Sequence, residues 1–142
     1  MPEGTSVAPP PWRYEPESPK RKHHWDCDEP GFVELPRRGA PGCVRVSKCP
    51  ASLTVDDCAT LLSEAIPWSP AGWTKSYPKR LYVVHRGWLY RAMPTQPGVS
   101  YHGFPEDPEA GVVPESLHDR IRGVAREKSC ELEIERWLSP PE

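Results

Sequence analysis

The chain has 142 residues, a formal net charge of −2 and a pI near 6.2. This length supports one domain with one modest hydrophobic core, and the near-neutral charge excludes a protein whose whole surface attracts nucleic acid or an anionic membrane. Twenty prolines confine regular secondary structure to the windows that lack them, because each proline removes a backbone donor and fixes φ.

The N-terminal segment, residues 1–22, is rich in proline and has no periodic apolar face. We predict that it is an extended, disordered leader, followed by a single α+β domain over residues 23–142. The leader lacks the apolar run of a secretory signal, and no later run has the length of a membrane span. We therefore expect a protein that is made in the cytoplasm and that, if exported, uses a non-Sec route.

Short strands are predicted at residues 32–35 and 43–46, followed by the first helix at residues 54–66. Thr54 and Asp57 have the spacing of a capping box, in which each side chain bonds to the other residue's backbone amide. Apolar residues then recur at helical spacing until Pro67, which is expected to end the helix.

A β-hairpin is predicted next, because two β-rich runs, 80–85 and 88–93, flank Arg86 and Gly87. Gly87 would supply a positive φ in the turn. This register pairs His85 with Trp88 on one face of the hairpin and Tyr82 with Arg91 on the other. A third strand is predicted over residues 99–104.

The C-terminal region is predicted to be a bent helix that begins at Pro114. Its apolar residues lie on two different faces, so we expect a bend near residues 128–129, with Ser129 capping a second helix that ends at Leu138. The predicted fold is α+β: a small antiparallel sheet of about three strands packed with an N-terminal-side helix and the bent C-terminal helix, behind the Pro-rich leader.

The most unusual segment for chemistry is residues 100–105, SYHGFP, which contains His102. An imidazole titrates close to neutral pH and is suited to act as a general acid or base. Metal-independent RNA cleavage needs such groups and a cation for the phosphate, and it needs no cofactor. We predict His102 and His85 as proton-transfer residues, Arg91 as the phosphate ligand, and Tyr101 as a further catalytic residue; Lys79 and Arg80 are additional cations near the same sheet.

Residues 79–92, KRLYVVHRGWLYRA, together with residues 101–105, YHGFP, give the chain a resemblance to C-terminal toxin domains of bacterial polymorphic toxin systems. The resemblance extends loosely over residues 48–138. It implies a small metal-free RNase used in bacterial competition, with a helix packed on a short antiparallel sheet and with a cognate immunity protein as partner. It also implies that His102 and Arg91 are the site residues.

Two other classes of function remain open. The first is a non-catalytic interaction protein, of immunity or adaptor type, which would bind a partner protein through the Trp-rich loop that contains Trp68 and Trp73. The second is a zinc module, for which the chain offers nitrogen and sulfur ligands but not the usual ligand spacing. A basic run at residues 20–25 adds a weak nucleic-acid signal. The candidate zinc ligands are His23, His24, Cys27, Cys43 and Cys49.

Overall fold

The computed structural model describes residues 13–15, 27–51, 53–108 and 113–138. Over these residues, the strands are β1 Arg13–Tyr14, β2 Gly31–Pro36, β3 Cys43–Lys48, β4 Ile66–Trp68, β5 Arg80–His85, β6 Trp88–Gln96 and β7 Ser100–Pro105. Five of these strands form a mixed sheet in the order β1-β7-β6-β5-β4, and the other two form a separate antiparallel hairpin, β2-β3. The α+β class is confirmed, but the predicted number of about three strands is too low. The helices are α1 Val55–Leu62, a 3₁₀ turn Glu115–Leu117, α2 His118–Glu127 and α3 Glu131–Leu138.

The β5–β6 hairpin has the predicted register, with His85 paired to Trp88 and Tyr82 paired to Arg91. Its turn places Arg86 at φ 52° and Gly87 at φ 79°. Two consecutive positive φ angles are typical of the type I′ turn, whose twist matches that of the flanking strands. Strand β7 then pairs antiparallel with β6, as expected for the third strand.

Helix α1 begins as predicted but ends earlier. Thr54 and Asp57 form the reciprocal capping box, with both N···O distances at 3.0 Å. The helix ends at Leu62, and Ile66 instead opens strand β4, where it pairs with Tyr82. The predicted end at residue 66 is therefore wrong, because Ile66 buries its side chain against a different layer from Leu62. Pro67 is tolerated in β4 because this strand lies at the edge of the described sheet.

The side chains of β5 and β6 alternate between two apolar layers. One layer lies between the sheet and helices α2 and α3. It contains Tyr82, Val84 and Leu89 of the strands and Ile121, Ile134 and Trp137 of the helices. On the other face, Leu81 and Ala92 pack against Leu62 of α1 and against Tyr101. Two side chains of the sheet can therefore belong to one site only if both point to the same face.

The C-terminal helix bends where the sequence indicates. Ser129 adopts φ 60°, and the Cys130 amide donates to the Ala125 carbonyl at 2.9 Å, which ends α2. The Cys130 carbonyl accepts from the Ile134 amide, so Cys130 occupies the position before α3 that we predicted for Ser129. In the part of the chain that the structure describes, no helix is long and apolar enough to cross a bilayer.

Three residues of the predicted leader are described, and two of them form strand β1. Arg13 and Tyr14 of β1 pair in parallel with Ser100 and Tyr101 of β7. The Glu15 amide continues this ladder by donating to the Tyr101 carbonyl at 2.8 Å. The rest of the predicted leader and its boundary with the domain, residues 1–12 and 16–22, lie outside the described residues.

Candidate functional site

His102 lies half-buried on β7, opposite Met93 of β6. Its Nδ1 atom is 2.9 Å from the Thr95 hydroxyl oxygen, and that hydroxyl donates its proton to the Glu15 carbonyl at 2.7 Å. A threonine hydroxyl has one proton to donate, so it can only accept from His102. The imidazole therefore carries its proton on Nδ1, and the lone pair of the neutral ring lies on Nε2, as a general base requires.

Glu15 holds this arrangement in place from the adjacent strand. Its Oε1 atom accepts from the Ser100 hydroxyl at 2.6 Å and from the Gln96 amide at 2.7 Å, while its backbone carbonyl accepts from Thr95. The carboxylate thus ties the end of β1 to both strands that flank the β6–β7 turn. Sequence reasoning missed Glu15 because it lies in a Pro-rich window without periodicity. It missed Thr95 because this residue lies at an irregularity of the β6–β7 pairing, between Pro94 and Gln96, which a regular register does not predict.

Arg91 lies on the same sheet face as His102. It pairs with Phe104, while His102 pairs with Met93, so the two residues are diagonal neighbours, for which Cβ atoms are typically about 7–8 Å apart. The Phe104 ring lies beside both: its centroid is 5.1 Å from the Arg91 guanidinium carbon and 6.1 Å from the His102 ring centroid. An imidazole and a guanidinium thus lie near the same aromatic ring on one face of the sheet.

Tyr101 and His85 lie on the opposite face, away from His102. Tyr101 is 2% exposed, and its hydroxyl donates to the Pro78 carbonyl at 2.6 Å, so it serves the core; burial raises its pKa. His85 is at the turn end of the hairpin, about 20 Å along β6 from the position that pairs with Tyr101, at about 3.3 Å per residue. The four predicted residues therefore do not form one site.

His85 instead lines a separate cleft of about 460 Å³ between the start of β2, helix α1 and the β5–β6 turn. Asp57, Arg86, Trp88 and Tyr90 also line it. Burial lowers the pKa of the His85 imidazole below its ordinary value of 6.5, and the nearby Arg86 and Lys128 cations lower it further. This imidazole is therefore held neutral at physiological pH.

The lowered pKa of His85 predicts a specific acid sensitivity. The native state binds the His85 proton more weakly than the unfolded chain, so this residue makes the protein less stable as pH falls through 6.5. His85→Gln should therefore lose less unfolding free energy than the native form between pH 7 and pH 5, as measured by urea denaturation. An identical pH dependence in the two forms would show that the ring is not desolvated in the folded state.

The zinc hypothesis gains no support from the described residues, among which no group of three or more His, Cys, Asp or Glu side chains could hold a metal ion. Cys27 and Cys43 are exposed, and all five cysteines are free thiols. Burial raises the pKa of Cys49 to about 12. Because a metal is bound by the thiolate and the raised pKa disfavours that form, Cys49 is a poor candidate ligand. His23 and His24 lie outside the described residues, as does the whole basic run at residues 20–25.

The two tryptophans of the predicted contact loop are both engaged within the protein. Trp68 belongs to β4, and the Arg80 guanidinium carbon lies 4.9 Å from its ring centroid. The Trp73 indole donates to the Tyr77 carbonyl at 2.6 Å and packs edge-on against the Tyr77 ring. Both side chains are half-buried, so these rings contribute to the fold of the loop.

Comparisons of the chain with protein-family models, with curated proteins and with solved structures give no match. The resemblance to polymorphic toxin domains therefore stays a prediction.

Proposed function

We propose that this protein is a toxin-type ribonuclease that cleaves RNA without a metal, with His102 as general base and Arg91 as phosphate ligand. The observation that carries the proposal is the hydrogen-bond chain from His102 Nδ1 through the Thr95 hydroxyl to the Glu15 carbonyl. It fixes the tautomer in which Nε2 can accept a proton. Arg91 supports the proposal because it places a positive charge on the same sheet face.

In the proposed reaction, His102 Nε2 takes the proton of an RNA 2′-hydroxyl. The 2′ oxygen attacks the adjacent phosphorus, the bond from phosphorus to the 5′ oxygen breaks, and that oxygen takes a proton from water. The His102 imidazolium then gives its proton to the hydroxide that remains, which restores the base. The Arg91 guanidinium stabilises the negative charge that develops on the phosphorane. The products are a 2′,3′-cyclic phosphate and a 5′-hydroxyl.

Incubation of the purified protein with a labelled RNA in excess EDTA tests this proposal directly. We expect cleavage with a 2′,3′-cyclic phosphate at the new 3′ end, and no cleavage of the same sequence as DNA, which lacks the attacking hydroxyl. Expression in the bacterial cytoplasm should stop growth, and co-expression of a cognate immunity protein should restore it. Intact RNA after prolonged incubation, or products with a 3′-hydroxyl, would contradict the proposal.

A non-catalytic interaction protein is the second candidate, and one surface favours it. The β2–β3 hairpin turns Leu35 and Val44, a cross-strand pair, toward solvent with 43% and 44% of their surface exposed. Exposed aliphatic pairs of this kind are often partner contacts. In this second candidate function, the pair replaces the Trp-rich loop as the surface that binds the partner protein. This class would be favoured if expression of the protein does not stop growth and the purified protein leaves RNA intact. Leu35→Lys should then abolish binding to a partner protein.

A further inference from the structure

The cleft that His85 lines lies on the sheet face opposite to His102, and its charged walls are open to solvent. Asp28 and Glu29 line it just before the start of β2, and Asp57 lines it from the first turn of α1. All three residues are exposed, so a ligand from solution can reach their carboxylates without any movement of the core. The volume of about 460 Å³ lies within the range of small-molecule sites.

The cleft also has an uncharged, partly apolar surface. Trp88 and Tyr90 of β6 line it, together with Leu53 and Leu61. Burial raises the pKa of the Tyr90 hydroxyl and lowers that of the His85 imidazole, so neither group carries a charge at neutral pH. This surface can therefore receive the aliphatic part of a ligand and remove it from water.

The lining of the cleft is net negative. Its three carboxylates outnumber Arg86, which is the one cation among the described residues that line it. Hydrogen bonds from Thr54 hold the pKa of Asp57 below its ordinary value, which keeps this carboxylate ionised. Asp57 Oδ2 accepts from the Thr54 amide at 3.0 Å, so Oδ1 is the oxygen that a ligand would use. A cleft with this balance of charge attracts cations, and Arg86 limits their affinity.

The carboxylates of the cleft are spread along its walls and do not converge on one point. Although Asp28, Glu29, Asp57 and His85 all line the cleft, no three such side chains among the described residues are placed to hold a metal ion. A divalent cation needs oxygen ligands that converge at about 2.0–2.6 Å. A cation whose charges are separated by an aliphatic stem fits the spread carboxylates and the apolar surface between them.

We propose that this cleft binds a linear polyamine, with Asp57 on one wall and Asp28 and Glu29 on the other as acceptors for the ammonium groups at its two ends. Each ammonium forms a charge-assisted hydrogen bond with a carboxylate. The methylene stem lies against the apolar surface between the walls. The site uses no residue of the proposed RNA-cleaving site, so it does not depend on that function.

Thermal unfolding in spermidine, compared with NaCl and with MgCl₂ at equal ionic strength, tests the site without RNA. A ligand that binds only the folded state raises the melting temperature as its concentration increases. We expect spermidine to raise it more than either salt. Glu29→Gln and Asp57→Asn should each need roughly threefold to fivefold more spermidine for the same rise, which corresponds to the loss of one exposed ion pair. Asparagine keeps an acceptor for the Thr54 amide, so the helix cap is retained. Glu115→Gln, which replaces an exposed carboxylate outside the cleft, should behave like the native form.

Butylamine carries a single ammonium on an aliphatic stem, so it tests whether both walls take part. At least roughly fivefold more butylamine than spermidine should be needed for the same rise. Equal spermidine responses in the Glu29, Asp57 and Glu115 variants would overturn the proposal, because binding would then reflect the overall charge of the protein. A response to MgCl₂ or to butylamine as strong as that to spermidine would overturn it as well. His102→Gln should retain the spermidine response in full, so loss of RNA cleavage and loss of polyamine binding are separable.

Discussion

Replacing His102 by Gln should lower the rate of RNA cleavage by roughly two to four orders of magnitude, the usual contribution of a general base. The Gln amide can still donate to the Thr95 hydroxyl, so the local hydrogen bonding is preserved. It cannot take up a proton, and the 2′-hydroxyl would then lose its base. The measurement is the initial rate of cleavage of a labelled RNA, with the melting temperature of each variant recorded beside it.

Thr95→Val separates the role of the hydrogen-bond chain from that of the ring itself. Valine has the same shape but cannot accept from Nδ1 or donate to the Glu15 carbonyl, so the Nδ1-protonated tautomer is no longer favoured. We expect a rate loss of about tenfold with an altered pH profile, and recovery in Thr95→Ser. The matched control is His118→Gln, because the His118 ring contacts the Val113 carbonyl in another part of the molecule. Equal losses in the His118 and His102 variants would show that cleavage does not depend on this site.

Replacing Trp137 by Ala should cost about 3–5 kcal/mol of unfolding free energy, which is among the largest effects of any single core substitution. The side chain is fully buried in the layer between the sheet and α2–α3, where it packs edge-on against Trp88. Its indole also donates to the backbone carbonyl of Glu106 at 2.6 Å, so the ring is fixed by a hydrogen bond as well as by packing. The measurement is urea denaturation followed by circular dichroism.

Trp137→Phe keeps most of the apolar volume and removes the donor, and it should cost about 1–3 kcal/mol, since a buried carbonyl is left without its partner. Leu132→Ala on the same helix is the control, because Leu132 is 87% exposed and should change the stability by no more than about 0.5 kcal/mol. A loss below about 1 kcal/mol for Trp137→Ala would contradict the packing described here.

Local signals account for the parts of the fold that the sequence predicts well. The type I′ turn at Arg86 and Gly87 sets the hairpin register, and the Thr54 and Asp57 capping box sets the start of α1. Strands β1 and β4 were not predicted, because they lack such local signals. Each is too short to show periodicity, and each is stabilised by pairing with a strand that is distant in sequence.

The candidate site was predictable in part. His102 and Arg91 share a face because both positions follow from the β5–β6–β7 register. Tyr101 was expected beside His102, yet neighbours in a strand point to opposite faces, and its buried hydroxyl found the Pro78 carbonyl. Glu15 could not be singled out, because its partners Thr95, Gln96 and Ser100 lie 80 to 85 residues further along the chain.

Strand β4 has only three residues and carries Pro67 at its centre, at the border of the described sheet. A strand at the edge of a sheet exposes unpaired backbone amides and carbonyls. Another extended chain can pair with these groups, and such pairing leads to aggregation. The proline ring has no amide hydrogen to offer, and three residues are too few to template a stable ladder. Among the described residues, this border of the sheet is therefore a poor template for further strands.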